Sequence, residues 1–167
     1  MSAERVSLPP AEASVYETFI RVQFHEIDAL GHVNNAAYLN YLEQAAIDHA
    51  VALGLDMERL RQLGGVFVAR RHEVVFLRPA FSGDLLRVVT WLDEARGARV
   101  ERHYRVFRAP QLGAAMSCSG RLVRAADLPD EDEPIVRAAT EWVFASPEGQ
   151  PRRIPEDVAA LFRAPAS

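Results

Sequence analysis

An acidic residue precedes the predicted start of a helix, and this arrangement can hold a developing oxyanion beside a base or nucleophile. Asp28 follows an alternating stretch typical of a strand, and a helical pattern begins near Asn35. The first N–H groups of a helix have no partner inside it, and the helix dipole is positive there. Asp28 lies six residues before Asn34 and is therefore too far away to cap the helix itself. Its carboxylate is free to act as a general base or as a nucleophile.

The same residues also have simpler structural interpretations. Asp28 fits an Asx turn, which is common before a helix. Asn34 and Asn35 are of the type favoured at helix N-caps, so their side chains can be structural while their backbone carries the chemistry. His25 and His32 flank Asp28 closely enough to hydrogen-bond a substrate, although the spacing alone orients neither ring.

Glu43 is the other acid to consider, because it lies eight residues after Asn35 on an otherwise apolar helical pattern. A lone carboxylate on such a helix fits a buried acid tied to an arginine or to a backbone group. We rank it second to Asp28.

The composition excludes several kinds of chemistry. All 19 basic residues are arginines, so Schiff-base catalysis by lysine is excluded. The net charge of −4 argues against a general nucleic-acid-binding protein. The five histidines follow none of the zinc spacings, and no metal is expected. Cys118 is the single cysteine, so we expect a packed thiol, no disulfide within the chain and a reducing compartment.

The length of 167 residues and the hydrophobic content of 49% fit a single domain, 1–167, with a sizeable core. We expect a flexible N-terminus over 1–13 and an acidic loop over 126–135, because clustered acids repel and prolines interrupt strands. The sequence has no run of 18 apolar residues, and its first residues lack the apolar stretch of a signal peptide. We therefore expect a cytoplasmic protein that does not contact a membrane.

The apolar periodicity predicts one strand, one long helix and then five strands. Alternation over 15–24 places Ile20, Val22 and Phe24 on one face of the first strand and Glu17 on the other. The helix is predicted over 35–53 from apolar residues at steps of three and four, and we expect it to be deeply buried. Strands are predicted at 66–77, 85–93, 99–108, 113–125 and 140–145, with short helices at 57–63 and 155–162.

This order of elements predicts an α+β fold in which a curved antiparallel sheet wraps around the buried helix. A helix so apolar must be covered on nearly all sides. One sheet covers only part of it, so we expect a second subunit or a strongly curved sheet to cover the rest.

The run Asp28-Ala29-Leu30-Gly31-His32-Val33-Asn34-Asn35, followed by Tyr38, resembles the signature of the hotdog-fold acyl-CoA thioesterases of the hydroxybenzoyl-CoA type. The resemblance extends through the turn over 76–84 and the segments 141–144 and 151–155. It implies the hotdog fold, in which a curved antiparallel sheet surrounds one long buried helix. The run is also similar to the first half of the acyl-carrier-protein thioesterase signature, but Leu30 stands where that signature has an Asn.

The resemblance implies that Asp28 is the catalytic carboxylate and that a backbone N–H at or next to Asn35 polarises the thioester carbonyl. Asp28 would either attack the carbonyl carbon directly or activate a water molecule, and coenzyme A would leave as a thiolate. His32 is expected beside this site. Coenzyme A belongs to the substrate, so no further cofactor is implied.

The resemblance also suggests roles for other residues. Glu43 matches the helix Glu that a second branch of hotdog thioesterases uses as base or nucleophile. We expect the substrate-binding residues to be Asn34, Tyr38, Arg70, Arg71 and Arg78, with the arginines on the coenzyme A phosphates. Arg152 and Arg153 are further candidates for the same contact. The expected partners are a small acyl-CoA molecule and further copies of the chain, in a dimer or tetramer. The alternatives are an acyl-carrier-protein thioesterase and a non-catalytic binding module for acyl-CoA or for an acyl carrier protein.

Overall fold

Six strands form one antiparallel sheet in the order β2-β6-β4-β3-β1-β5, which curves around a long helix. The computed structural model describes residues 9–110, 120–128 and 133–163. The strands are β1 Ser14–Arg21, β2 Val66–Phe76, β3 Leu85–Leu92, β4 Arg99–Ala109, β5 Arg121–Arg124 and β6 Val136–Ala145. The helices are α1 Asn35–Ala52, α2 Met57–Gln62 and α3 Glu156–Leu161. Within these ranges, no helix has both the length and the hydropathy needed to cross a bilayer.

The order of the elements confirms the predicted α+β class and the single strand before the long helix. β6 begins at Val136, four residues before its predicted start, because 136–139 pair with both β2 and β4. Pro155 is the N-cap of α3 and not its first residue. Of the strand predicted over 113–125, Arg121–Arg124 form β5, and Ala125 already belongs to a 3-10 turn. Residues 113–119 lie outside the described residues. Cys118 and part of the predicted acidic loop lie outside the described residues.

The first strand is shorter than its alternation predicts. Phe24 lies in a 3-10 turn, Phe24–Glu26, and its side chain is 86% exposed, so its predicted place on the buried face is wrong. Glu17, predicted on the polar face, is also buried. Arg87 and Arg121 each donate a hydrogen bond of 2.7 Å to the Glu17 carboxylate, and this pairing compensates its burial.

The α1 helix buries one face against the sheet and leaves the opposite face exposed. Its buried residues are Ala37, Tyr38, Tyr41, Leu42, Ala45, Ala46 and His49. The side chains of Leu39, Ile47 and Val51 are 39%, 50% and 55% exposed. The prediction of a deeply buried helix therefore holds for one face only, because the sheet of one chain covers the helix from one side.

Buried polar side chains connect α1 to the sheet. The spacing of the histidines in the sequence does not predict these contacts. Arg102 Nη1 donates hydrogen bonds to His49 Nδ1 at 2.9 Å and to Thr90 Oγ1 at 3.2 Å. Burial, and then the charge of Arg102, hold the pKa of His49 well below its ordinary value. His49 is therefore neutral, and its Nε2–H donates to Ser14 Oγ at 3.2 Å.

The neutral state of His49 predicts a loss of stability in acid. The unfolded chain binds a proton at this imidazole near pH 6.5 and the folded chain does not, so the free energy of unfolding falls below that pH by up to about 1.4 kcal/mol per pH unit. His49→Gln keeps a neutral donor and acceptor without titrating. Between pH 7 and 5 we expect the variant to lose less stability than the wild type in urea unfolding, because Gln does not take up a proton in the unfolded chain. Identical pH dependence in the two proteins would contradict this account.

Candidate active site

A cleft of about 330 Å³ opens where the loop after β1 meets the N-terminus of α1. One wall is the segment 28–38, and the opposite wall is the chain that leaves β2. The lining residues are Asp28, Leu30, His32, Val33, Asn35, Tyr38, Phe76, Leu77, Arg78 and Pro79. Five of the residues predicted from the sequence to be in the site, namely Asp28, His32, Asn35, Tyr38 and Arg78, are thus brought together.

A tight turn holds the Asp28 carboxylate in place. Oδ1 accepts hydrogen bonds from the backbone N–H groups of Leu30 at 2.8 Å and His32 at 3.3 Å. The Asp28 N–H donates to the His32 carbonyl at 2.8 Å, and Gly31 makes the turn possible with a φ of 81°. No described residue donates a hydrogen bond to Oδ2. One oxygen of the carboxylate therefore orients the group, and the other is left for chemistry.

The N-terminus of α1 presents one unpartnered backbone donor to the same cleft. Asn34 is the N-cap, as its residue type predicts, and its Oδ1 accepts from the Ala36 N–H at 2.8 Å. The Asn34 carbonyl accepts from the Ala37 N–H at 2.9 Å. The Asn35 N–H has no acceptor among the described residues. It is the helix donor that remains available to a ligand in the cleft.

Two contacts anchor the Asp28 turn to the rest of the fold. Tyr41, on the buried face of α1, donates a hydrogen bond of 2.6 Å to Glu26 Oε2, which also accepts from the Gln23 N–H at 2.7 Å. Burial, and then the Glu26 carboxylate, raise the pKa of the Tyr41 hydroxyl. At the other end of the turn, the Val33 N–H donates to the Ala80 carbonyl at 2.9 Å. The turn is therefore fixed both to the helix and to the opposite wall of the cleft.

The opposite wall is stabilised by one arginine. Arg108 donates to Asp84 Oδ2 at 2.9 Å and to the Pro79 carbonyl at 2.7 Å. Its guanidinium also stacks over Phe81, whose ring contacts the edge of the His32 ring at 5.5 Å between centroids. The contacts that Arg108 makes with Asp84 and Pro79 were not predicted from the sequence. The only indication of this wall in the sequence was the turn over 76–84, which its Pro and Gly residues predict.

Several predicted site residues lie outside the cleft. Asn34 acts as a cap and does not line the cleft, and His25 is exposed in the 3-10 turn. Arg70 and Arg71 are exposed on β2, and Arg71 pairs with Glu73 and Glu101. Neither arginine lies beside the other predicted site residues in this chain.

Glu43 is exposed on α1, so the interpretation of a buried, paired acid is wrong. It lies about 12 Å along the helix from Asn35, and it does not line the cleft.

Asp93, Glu101 and His103 are the one set of described residues whose geometry could hold a metal ion, with one ligand atom of each within 4.8 Å of the others. Sequence spacing does not reveal this set, because β3 and β4 bring it together. His103 Nε2 lies 2.9 Å from Asp93 Oδ2, and Glu101 lies 3.5 Å from Arg71. These polar contacts account for the clustering, and none of the three residues lines the cleft.

A family model described as the thioesterase-like superfamily matches residues 22–162, a range that includes both walls of the cleft. The chain belongs to this superfamily. Its class of reaction is thioester hydrolysis. This match confirms the resemblance to hotdog-fold thioesterases that was based on the segment 28–38.

Individual relatives agree with this assignment. An acyl-acyl carrier protein thioesterase of Arabidopsis thaliana is 24% identical over 88% of this chain and 67% of its own length. The long-chain acyl-CoA thioesterase FadM of Escherichia coli is 32% identical over 48% of this chain and 61% of its own length.

Solved structures show the same fold. A 1,4-dihydroxy-2-naphthoyl-CoA thioesterase from Synechocystis matches with a TM-score of 0.67 at 18% identity, covering 87% of this chain and 95% of the other. A thioesterase from Thermus thermophilus, complexed with coenzyme A and Zn, matches with a TM-score of 0.65 at 24% identity, covering 89% and 92%. The hotdog architecture predicted for this chain is therefore confirmed.

The anchoring role of Tyr41 predicts a coupled loss of stability and activity. Tyr41→Phe removes the bond to Glu26, and we expect the free energy of unfolding to fall by about 1 kcal/mol and the rate of thioester hydrolysis to fall with it. Tyr16→Phe, which removes a buried hydroxyl on β1 outside the cleft, is the matched control and should leave the rate unchanged. An unchanged rate in Tyr41→Phe would show that this bond does not position the turn.

Proposed function

We propose that the chain hydrolyses acyl-CoA thioesters in the cleft at the N-terminus of α1. The observation that carries this proposal is that an oriented carboxylate, Asp28, and an unpartnered helix N–H, Asn35, line the same cleft. A thioester whose carbonyl oxygen accepts from Asn35 would present its carbonyl carbon to the carboxylate. One such preorganised oxyanion donor contributes on the order of 3 kcal/mol to the transition state.

The proposed reaction breaks the bond between the carbonyl carbon and sulfur. In one route the free oxygen of Asp28 attacks the carbonyl carbon and forms a mixed anhydride, which water opens. In the other route Asp28 takes a proton from water, and the hydroxide attacks. In both routes the oxyanion collapses, and coenzyme A leaves as a thiolate that needs no strong acid. The chemistry requires no cofactor beyond the coenzyme A of the substrate.

The cleft also offers contacts to both ends of such a substrate. Leu30, Phe76 and Leu77 expose 79%, 42% and 42% of their surface beside the carboxylate, which suits an apolar acyl group. Arg78 donates to the Glu133 carbonyl and carboxylate through Nη2, and its other N–H groups face no described acceptor. A guanidinium in this position suits the phosphates of coenzyme A.

A second candidate substrate is an acyl group carried on an acyl carrier protein. The observation in its favour is the likeness to the Arabidopsis acyl-acyl carrier protein thioesterase over 88% of this chain. The reacting thioester is the same in both cases, so the cleft chemistry does not separate them. Comparing hydrolysis rates for one acyl group on coenzyme A and on a carrier protein decides between them.

We also propose that the active form is a homodimer, or a tetramer built from such dimers. β2 lies at the edge of the sheet and exposes Val68 and Val75, and α1 exposes the apolar face described above. The two valines flank a charged centre of β2, and an edge strand that exposes apolar side chains and unpaired backbone groups is open to pairing with another copy. Because β2 runs directly into Phe76 at the cleft, a second copy on this edge would border the site.

A charge on the β2 edge should weaken this assembly. We expect the wild type to be a dimer or larger in size-exclusion chromatography with light scattering, and Val75→Arg to shift it toward the monomer because burying a lone charge is costly. Val75→Thr has nearly the same shape without the charge and should stay assembled. A monomeric wild type would contradict the proposed dimer.

Asp28→Asn is the direct test of the proposed reaction. Asn keeps an oxygen that can accept from Leu30 and His32, so the turn should be preserved while the base or nucleophile is lost. We expect thiol release from acyl-CoAs to fall at least about a hundredfold, with little change in melting temperature. The substrate panel comprises acetyl-, medium-chain, long-chain and aromatic acyl-CoAs.

Glu43→Gln is the matched control, because it removes an acid from α1 outside the cleft, and its activity should stay near that of the wild type. A loss confined to Glu43→Gln would move the chemistry to the helix. Binding of acyl-CoA without thiol release by the wild type would instead support a non-catalytic binding module.

A further inference from the structure

A second cavity, of about 160 Å³, lies toward the C-terminal end of α1, between that helix, α2 and the sheet. Its walls are largely apolar and include Ile47, Ala50, Leu60, Phe67 and Trp142. Ala50 lies 15 residues after Asn35, which is about 22 Å along the helix. The cavity is therefore separate from the cleft that contains Asp28.

A buried charged side chain, Arg102, lines this largely apolar cavity. The residue is only 5% exposed, and it points from β4 toward α1. Its described hydrogen bonds run from Nη1 to His49 and Thr90, both of which are neutral. No carboxylate among the described residues lies within ion-pair distance of it. Asp56, the other charged residue at the cavity, is exposed and accepts from the Arg59 N–H as the cap of α2.

A buried cation without an anion is unusual, because removing a charge from water is costly unless an opposite charge compensates it. The contrast within this chain is Arg87, which is equally buried and pairs with Glu17 at 2.7 Å. His49 cannot supply the missing charge, since a neutral imidazole carries none. The remaining N–H groups of Arg102 have the geometry that binds a carboxylate through two parallel hydrogen bonds.

We propose that this cavity binds a small monocarboxylate with an apolar body, with the carboxylate on Arg102 and the body between α1 and α2. The volume is close to that of a cavity that accommodates one benzene ring, so an aromatic or short alkyl acid is the matching size. Arg102 is the only cation among the described lining residues, and a single cation suits a monoanion better than a phosphate. Acids released from thioesters belong to the same chemical class, but the site does not depend on the proposed reaction.

Calorimetric titration of the full-length protein with hexanoate and benzoate tests the proposal, with hexanamide and benzamide as neutral analogues of the same shape. We expect each acid to bind at one site and each amide to bind at least about tenfold more weakly, because the amide lacks the charge that pairs with Arg102. Arg102→Met should weaken the acids by at least about tenfold and abolish the difference between acid and amide. Replacing a buried charge by an apolar side chain should preserve the fold.

Three further variants separate the possible explanations. Arg105→Met removes a partly buried arginine from the other face of β4 and should leave binding unchanged. Asp28→Asn should also bind the acids normally, which distinguishes this site from the cleft and makes the result independent of turnover. Ala50→Leu fills the cavity and should weaken acids and amides alike.

The proposal is overturned if the acids do not bind at millimolar concentration, if the amides bind as tightly, or if Arg102→Met binds the acids as the wild type does. If Arg102→Met does not fold, Ala50→Leu and the comparison of acid with amide decide the outcome. In that case, unchanged binding in Ala50→Leu overturns the proposal.

Discussion

The packing of one face of α1 against the curved sheet is the constraint on which the rest of the structure depends. It places the start of the helix beside the turn that follows β1 and the end of the helix beside α2. A helix N-terminus can serve a ligand only if its first N–H groups face a space that other elements enclose. Here the sheet-bound helix cannot rotate or slide without exposing its apolar face, so the donor at Asn35 stays directed into the cleft.

The two ends of α1 offer opposite chemical environments. The N-terminal end combines a carboxylate with a backbone donor in an open cleft, where charge can develop and be stabilised. The other end combines an enclosed cation with apolar walls, where a charge already present on a ligand would be paired. The first environment depends on the turn after β1 and on the start of α1, and the second depends on Arg102, which faces α1 from β4. The same packed elements therefore support two distinct kinds of polar site.

Sequence and structure agree best where the chemistry is local. Asp28, Gly31 and Asn34 lie within seven consecutive positions, so turn geometry and helix capping alone determine how they are arranged. For this reason the strand, the turn, the long helix and the candidate acid could all be predicted from residue types and spacing. The antiparallel strands that follow could be predicted as well, since alternation and the intervening turns are also local signals.

Tertiary structure alone decided which distant residues join these local features. Of the predicted arginines, only Arg78 reaches the cleft, because the register of β2 directs Arg70 and Arg71 elsewhere. Arg102 and His49 occupy inward positions of β4 and α1 that the periodicity would assign to apolar residues, and their pairing requires two elements 53 residues apart. The sequence by itself thus determined the motif, the fold class and the family, since these rest on short-range geometry. The partners of each polar group depended on strand register and helix packing, which no local pattern encodes.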